Sequence, residues 1–501
     1  MHRPLSIVAV AALALVACSG DDSGSGTRSS DEPAPVARPD TSAAFGWTEF
    51  GEEDDSDGTV EIGNLEVPID HDDPSAGTFD LYVARRLATD PERRIGSLLV
   101  NPGGPGYGGT DLAIYAAYNF SDDLLARFDI VGWDPRGTGL TTPAIDCIDD
   151  YDRYFADIDI TPDDQGERDE LVTLADEFET ACTEHNAAIL GHIGTNDSAR
   201  DIDAIRAALG EPKITYFGFS YGSELGATWA TLFPTTVRAA TLDGAVDPNA
   251  DLETSGLQQA EGFERTFDTF LAHCSEDDDC AFHNDGDAEG AFDHLAAQLD
   301  ARPVPTQPGR PAANLAVLVT AAGQAMYSTT LWPDLEQALA DAQGGDGAGL
   351  LALYDMYFER ADDGTWPNIL EAFQTISCMD QADRPTVAED DASADERRAV
   401  APRLSPNTSG SYMCTFYPPA PDPRVTITGA GAGPVLVVGT TGDPATPIEG
   451  TQAMADALDG GRLLTVVGDE HTGYRINECS TETIDRYLIE LELPAEGTRC
   501  E

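Results

Sequence analysis

The chain has 501 residues, and 90 Asp+Glu set against 28 Lys+Arg leave a formal net charge of −62. That excess excludes recognition of nucleic acid, which needs a basic face, and reads as a solvated acidic surface. With 41% hydrophobic residues the chain is neither a disordered polyanion nor a multi-span membrane protein, and its length admits one elaborated α/β domain.

At the N-terminus, Arg3 precedes the apolar run Ile7–Val16. This run is too short to cross a hydrocarbon core of about 30 Å and has the size of a secretory signal. Leu15-Val16-Ala17-Cys18 resembles the lipobox of bacterial lipoproteins. The resemblance implies that residues 1–17 are a removed signal peptide and that Cys18 carries acyl chains, more than one of which is needed for firm anchoring. Residues 18–45, rich in Ser, Gly, Asp and Pro, read as a flexible tether. The protein is then expected outside the cytoplasm, held to the outer face of the membrane. Cys147, Cys182, Cys274, Cys280, Cys378, Cys414, Cys479 and Cys500 form an even set, as an exported chain with four disulfides would have. Pairing between sequence neighbours is the expectation. Neither Cys-x-x-Cys nor His-Glu-x-x-His spacing occurs, so no metal is expected.

From Gly46 onward, short apolar runs end in Gly-rich or polar turns: Ser97–Asn101, Phe128–Gly132, Ile214–Gly218, Ala239–Asp243 and Pro434–Gly439. They predict strands buried on both faces. Helix-like segments lie between them, such as Ser198–Leu209 followed by Gly210. The alternation predicts an α/β fold with a mostly parallel sheet. Residues 251–429 break the rhythm, with helix-like stretches Leu257–His273, Ala288–Leu299, Ala313–Tyr327 and Leu335–Arg360. The expected organisation is a core over 46–250, a mainly helical cap over 251–429, and completion of the core over 430–501. Two acidic stretches, Glu276–Asp279 and Asp285–Asp287, read as a solvated loop rather than a calcium site. Asp134-Pro-Arg136-Gly137 reads as a structural turn.

Gly218-Phe219-Ser220-Tyr221-Gly222 lies between a predicted strand and the helical pattern Ser223–Phe233. A serine on such a sharp turn is exposed above the sheet as a nucleophile. A nucleophile needs a base and the base an orienting acid. His71, His185, His192, His273, His283 and His294 read as surface residues, whereas His471 follows the strand-like run Leu463–Val467. Asp443 stands after the strand Val435–Val438, and Ile448–Leu458 supplies one crossover helix between the two loops. That places Asp443 and His471 at one sheet edge, in the chain order Ser220, Asp443, His471. Asn101-Pro-Gly-Gly-Pro-Gly-Tyr-Gly-Gly109 follows a buried strand. Its Gly104 N–H, with that of Tyr221, is the expected oxyanion hole. The same glycines also match a dinucleotide fingerprint, with Asp122 as the acidic partner, but that reading leaves Ser220, Asp443 and His471 unexplained. No cofactor is expected.

These motifs, with Val67-Pro-Ile-Asp70, Asp134-x-Arg-Gly-x-Gly139, Ala207-Ala-Leu-Gly-Glu211, Leu242-Asp-Gly-Ala-Val-Asp-Pro248, Gly442-Asp-Pro-Ala-Thr-Pro447 and Gly468-x-x-His471, resemble secreted tripeptidyl aminopeptidases. Those belong to the proline-iminopeptidase branch of the α/β-hydrolases and have a TAP-like C-terminal segment. The resemblance runs from about Thr59 to the end. Thr141 departs from it, and so does the lack, Cys18 apart, of an early cysteine before Val67-Pro. It implies the α/β-hydrolase fold and cleavage of peptide substrates near a free N-terminus. It also implies an acidic cap residue receiving the α-ammonium, here Asp380 in Ile376-x-Cys378-x-Asp380. A monomer is expected. An esterase or lipase is the alternative, because ester and amide cleavage share the acyl-enzyme; a non-catalytic peptide-binding lipoprotein is a further one.

Overall fold

The computed structural model describes residues 33–51 and 59–501. The expected signal peptide and Cys18 lie outside the described residues. Ten strands form one sheet: β1 (Thr48–Glu49), β2 (Val60–Pro68), β3 (Thr78–Arg86), β4 (Gly96–Asn101), β5 (Phe128–Trp133), β6 (Ile214–Phe219), β7 (Val237–Asp243), β8 (Val435–Thr440), β9 (Gly461–Val466) and β10 (Arg499–Cys500). Their order is β1-β2-β3-β5-β4-β6-β7-β8-β9-β10. From β5 to β10 all neighbours are parallel, and β1–β3 form an antiparallel edge. The predicted parallel strands all appear. The β2–β3 hairpin was not anticipated, because its half-exposed residues offer no continuous apolar run.

The period-2 alternation of strand side chains divides the sheet residues between two cores. Leu99, Val131, Tyr216 and Val437 face one core; Leu98, Val100, Ile130, Phe217 and Val438 face the other. Chain order then runs through α1 (Ser42–Phe45), α2 (Thr110–Ile114), α3 (Ala116–Asn119), α4 (Asp122–Arg127), α5 (Gln165–His185), α6 (Thr195–Ala208) and α7 (Tyr221–Leu232). It continues with α8 (Leu252–Glu276), α9 (Ala288–Ala301), α10 (Leu315–Met326), α11 (Trp332–Gln343), α12 (Ala348–Tyr357), α13 (Ile369–Asp380), α14 (Val387–Val400), α15 (Ile448–Ala457) and α16 (Glu478–Glu490). Helices α6, α7 and α15 cover the first face, and α2–α4 with α16 the second.

A third core, from α8 to α12, lies where the cap is expected. Its limits differ from the expected ones. Tyr151, Ala156 and Ile160, from the segment after β5, join the cap core. In contrast α13, through Ala372, Ile376 and Met379, packs with the first core of the sheet. The stretch Leu335–Arg360 is two helices, parted where Gly344, Gly345 and Gly347 remove the helix preference. The expected tether is packed at its end. Val36 N–H donates to the Arg94 carbonyl at 2.7 Å, Arg38 pairs with Asp129 at 2.6 Å, and Phe45 is buried.

The cysteines pair as sequence neighbours: Cys147–Cys182, Cys274–Cys280, Cys378–Cys414 and Cys479–Cys500. The Asp134 turn is structural. Its Arg136 is fully buried and donates to both oxygens of Asp201, at 2.7 and 2.6 Å. His71 is not a free surface residue, since its Nε2 lies 3.1 Å from that same Asp201. In the acidic loop, Asp287 caps α9 by accepting the Gly290 N–H.

Candidate active site

Ser220 sits between β6 and α7 with φ 54° and ψ −128°. A non-glycine residue in this region carries about 1–3 kcal/mol of strain, and here the turn is held by its surroundings. The Ser220 N–H donates to the Asp243 carbonyl of the adjacent strand at 2.8 Å. The serine stands at the N-cap of α7 but makes no capping bond, so its hydroxyl is left for other partners. A Cβ on Gly222 would lie 2.8 Å from the Asn101 carbonyl, so only glycine lets α7 start this close to β4.

The glycine-rich loop after β4 comes against this turn. A Cβ on Gly103, where φ is +103°, would lie 2.9 Å from the Ser220 Cβ and 3.0 Å from the Tyr221 nitrogen. The glycine pressed against the serine is therefore Gly103, whose own N–H is given to Asn101 Oδ1 at 3.0 Å. The N–H groups of Gly104 and Tyr221 have no protein acceptor among the described residues. The close approach to Ser220 gives these glycines a purpose that the dinucleotide reading does not account for.

His471 and Asp443 meet as expected. Asp443 is fully buried, and its oxygens lie 2.9 and 3.1 Å from His471 Nδ1. The carboxylate also accepts the N–H groups of Ala445, Thr446 and Thr472 and the Thr446 hydroxyl, at 2.8–3.1 Å. This crowd of donors orients it toward the imidazole. An Nδ1–H donated to this carboxylate would leave Nε2 with its lone pair free. Burial alone lowers the pKa of His471, but the charge and hydrogen bond of Asp443, helped by the charge of Asp243, outweigh it and raise the pKa above 6.5. The ring reaches the nucleophile's side of the sheet: its Cε1 lies 3.4 Å from where a Cβ on Gly244 would stand, one residue past the Asp243 that holds Ser220.

The cap grips the histidine loop. The His471 N–H donates to the Tyr327 carbonyl at 3.2 Å, and the two rings meet edge-on with centroids 5.4 Å apart. Glu470 accepts the N–H and hydroxyl of Thr329. Thr446 and Asp243 lay inside motifs already singled out, but nothing in their spacing revealed their contacts. Tyr327 carried no sequence signal.

Asp380 departs from its expected role. It is buried, and its carboxylate is occupied by Thr195, accepting the N–H at 2.7 Å and the hydroxyl at 2.5 Å. Burial pushes it up to about 7. The Thr195 hydroxyl in turn lies 2.5 Å from the Tyr221 hydroxyl, so Asp380 braces the residue after the nucleophile rather than presenting an open acid to a substrate ammonium.

Residues 96–475 match the family described as the alpha/beta hydrolase fold. The chain is 35% identical over 460 residues to serine protease Hip1 of Mycobacterium tuberculosis, spanning 87% of this chain and 86% of that protein. It is equally identical, over 487 residues, to carboxylesterase B of the same organism, spanning 93% and 91% of the two chains. Tripeptidyl aminopeptidase of Streptomyces lividans is 29% identical over 455 residues, spanning 88% and 83%. The chain belongs to the α/β-hydrolase family, in its tripeptidyl aminopeptidase-like branch, and is a serine hydrolase.

Proposed function

We propose that the protein is a serine exopeptidase that releases short peptides from the free N-terminus of peptide substrates through an acyl-enzyme. The observation that carries this reading is the buried Asp443 held on His471 Nδ1 at the same rim as the strained Ser220. Ser220 Oγ attacks the scissile carbonyl while His471 Nε2 takes its proton and then passes it to the leaving amine. Asp443 keeps the imidazole in the required tautomer and stabilises its protonated form. The N–H groups of Gly104 and Tyr221 receive the oxyanion. Water activated by His471 then hydrolyses the acyl-enzyme.

The named activities of Hip1 and the Streptomyces relative support a peptidase; the equal likeness to carboxylesterase B favours an esterase as the second reading. Four disulfides support residence in an oxidising, extracytoplasmic compartment, with anchoring through Cys18 and a monomeric state as parts of the same proposal. Among the described residues no helix is long and apolar enough to cross a membrane.

The test is mass spectrometry of the products formed from peptides with free and with N-acetylated ends. The proposal expects products cut from the free end, a large fall in kcat/KM on acetylation, and no turnover by Ser220→Ala. Equal rates on both peptides, with faster cleavage of simple esters, would move the assignment to the esterase.

A further inference from the structure

Asp243, the last residue of β7, is fully buried between Ser220 and the histidine loop. Its main-chain carbonyl accepts the Ser220 N–H at 2.8 Å and so holds the strained turn. Its carboxylate accepts the N–H of Gly473 at 2.7 Å and of Tyr474 at 2.8 Å. The preceding N–H, that of Thr472, goes to Asp443 at 3.1 Å. Three successive amides after His471 are therefore divided between two buried carboxylates. They hold a backbone in which Thr472 (φ 74°) and Arg475 (φ 65°) are left-handed, a conformation that non-glycine residues keep only under constraint.

We propose that Asp243 is a positioning residue that ties the Ser220 turn to the His471 loop and so sets the register between nucleophile and base. The proposal rests on the reading of Ser220 and His471 as those two groups. One residue thereby does two jobs at once: its backbone fixes one partner and its side chain the other. The site requires a carboxylate in particular. Two converging N–H donors need two acceptors, whereas the nearly isosteric amide offers one acceptor and turns an NH₂ group against the second donor. The charge matters as well. The charged and titratable groups facing the imidazole are Asp443, Asp243 and, from the cap, the Tyr327 ring. Burial pushes the Asp243 carboxyl up to about 7, so its charge acts above that pH, where removing it favours neutral His471.

The experiment compares the parent protein with Asp243→Asn in the full chain. It measures kcat and KM across pH on a chromogenic peptide amide with a free N-terminus, together with the far-downfield proton resonance of the His471–Asp443 hydrogen bond. The expected result is a fall in kcat of about 10- to 100-fold, the scale of a small misplacement of reacting groups. KM should stay within about twofold, the acid limb should move to lower pH, and the resonance should shift or broaden. Parental kcat would overturn the proposal. So would a lower kcat with unmoved limb and resonance, which marks a merely structural contribution. A second measurement needs no variant: hydrogen exchange of the Gly473 and Tyr474 amides in the parent protein. Protection comparable to that of β8 is expected, and free exchange would count against the proposal. Labelling of Ser220 in the parent protein by a fluorophosphonate separates the two levels. If Ser220 is not labelled the underlying reading fails, whereas if it is labelled and Asp243→Asn behaves as the parent, only the role of Asp243 fails.

Discussion

His471 carries two opposing influences, and their balance decides the pH range of the reaction. Burial favours the neutral ring, while the charge and hydrogen bond of Asp443 and the charge of Asp243 favour the protonated one and prevail. The base is active only when neutral. The acid limb of kcat/KM is thus expected above pH 6.5, the ordinary histidine value, and a limb below it in a steady-state profile would contradict this balance. At the opposite side of the nucleophile, Gly103 has no room for a side chain. In Gly103→Ala the new methyl would lie 2.5 Å from the Phe219 carbonyl and 2.9 Å from the Ser220 Cβ, at a φ of +103°. Displacement of the adjacent Gly104 N–H should lower kcat by about 10²-fold or more, the loss typical of an oxyanion donor, as turnover measurements on folded variant would show.

At the scale of elements, the pairing of β8 with β9 across α15 is what delivers Asp443 and His471 to one rim. The spacing of the two loops made this legible, since a single strand–helix–strand crossover is right-handed and returns to the same edge. The helices α8, α9, α10 and α15 also follow from the pattern of their residues, whereas the break between α11 and α12 depended on three glycines inside a stretch that otherwise reads as one helix. The disulfides differ in what they restrain. Cys147–Cys182 and Cys378–Cys414 close loops of 35 and 36 residues, and Cys274–Cys280 closes one of 6. By loop-closure entropy, opening either long bridge by paired Cys→Ala substitution should cost about 4 kcal/mol, against about 2 kcal/mol for the short one. Denaturant unfolding of the three double variants checks that ranking.

For the whole molecule, buried carboxyls set the dependence of stability on pH. Burial is the largest influence on Glu179, Asp243, Glu371 and Asp380, and pushes each up to about 7. Their folded pKa values exceed the ordinary 3.8 for Asp and 4.5 for Glu, so the folded state binds more protons than the unfolded state in between. Their stabilising contribution is complete below the ordinary carboxyl values and is lost as pH rises through about 7. Self-repulsion of a chain with net charge −62 acts in the same direction. Calorimetry should therefore give a higher Tm at about pH 5 than at about pH 8, and added salt should recover part of the loss at pH 8 by screening. Stability and activity then pull apart, because the base is neutral only where the fold has begun to lose this contribution.

Short-range pattern carried much of this protein. The strand–turn–helix around Ser220, the order Ser220, Asp443, His471, the alternation of strands and helices, and the neighbour pairing of cysteines are all properties of local segments or of their sequence spacing. The antiparallel β2–β3 edge, the contribution of Tyr151 and Ile160 to the cap, the packed residues 36–45, the bracing role of Asp380 and the two-way grip of Asp243 were not legible in that way. They arise from contacts such as Asp243 with Gly473, 230 positions apart, and Thr195 with Asp380, 185 apart. Which carboxylate meets which amide at such separations depends on the order of strands in the sheet and on how the cap settles over it. A buried polar group takes whatever donor the assembled fold brings within bonding distance, since leaving it unpaired is costly.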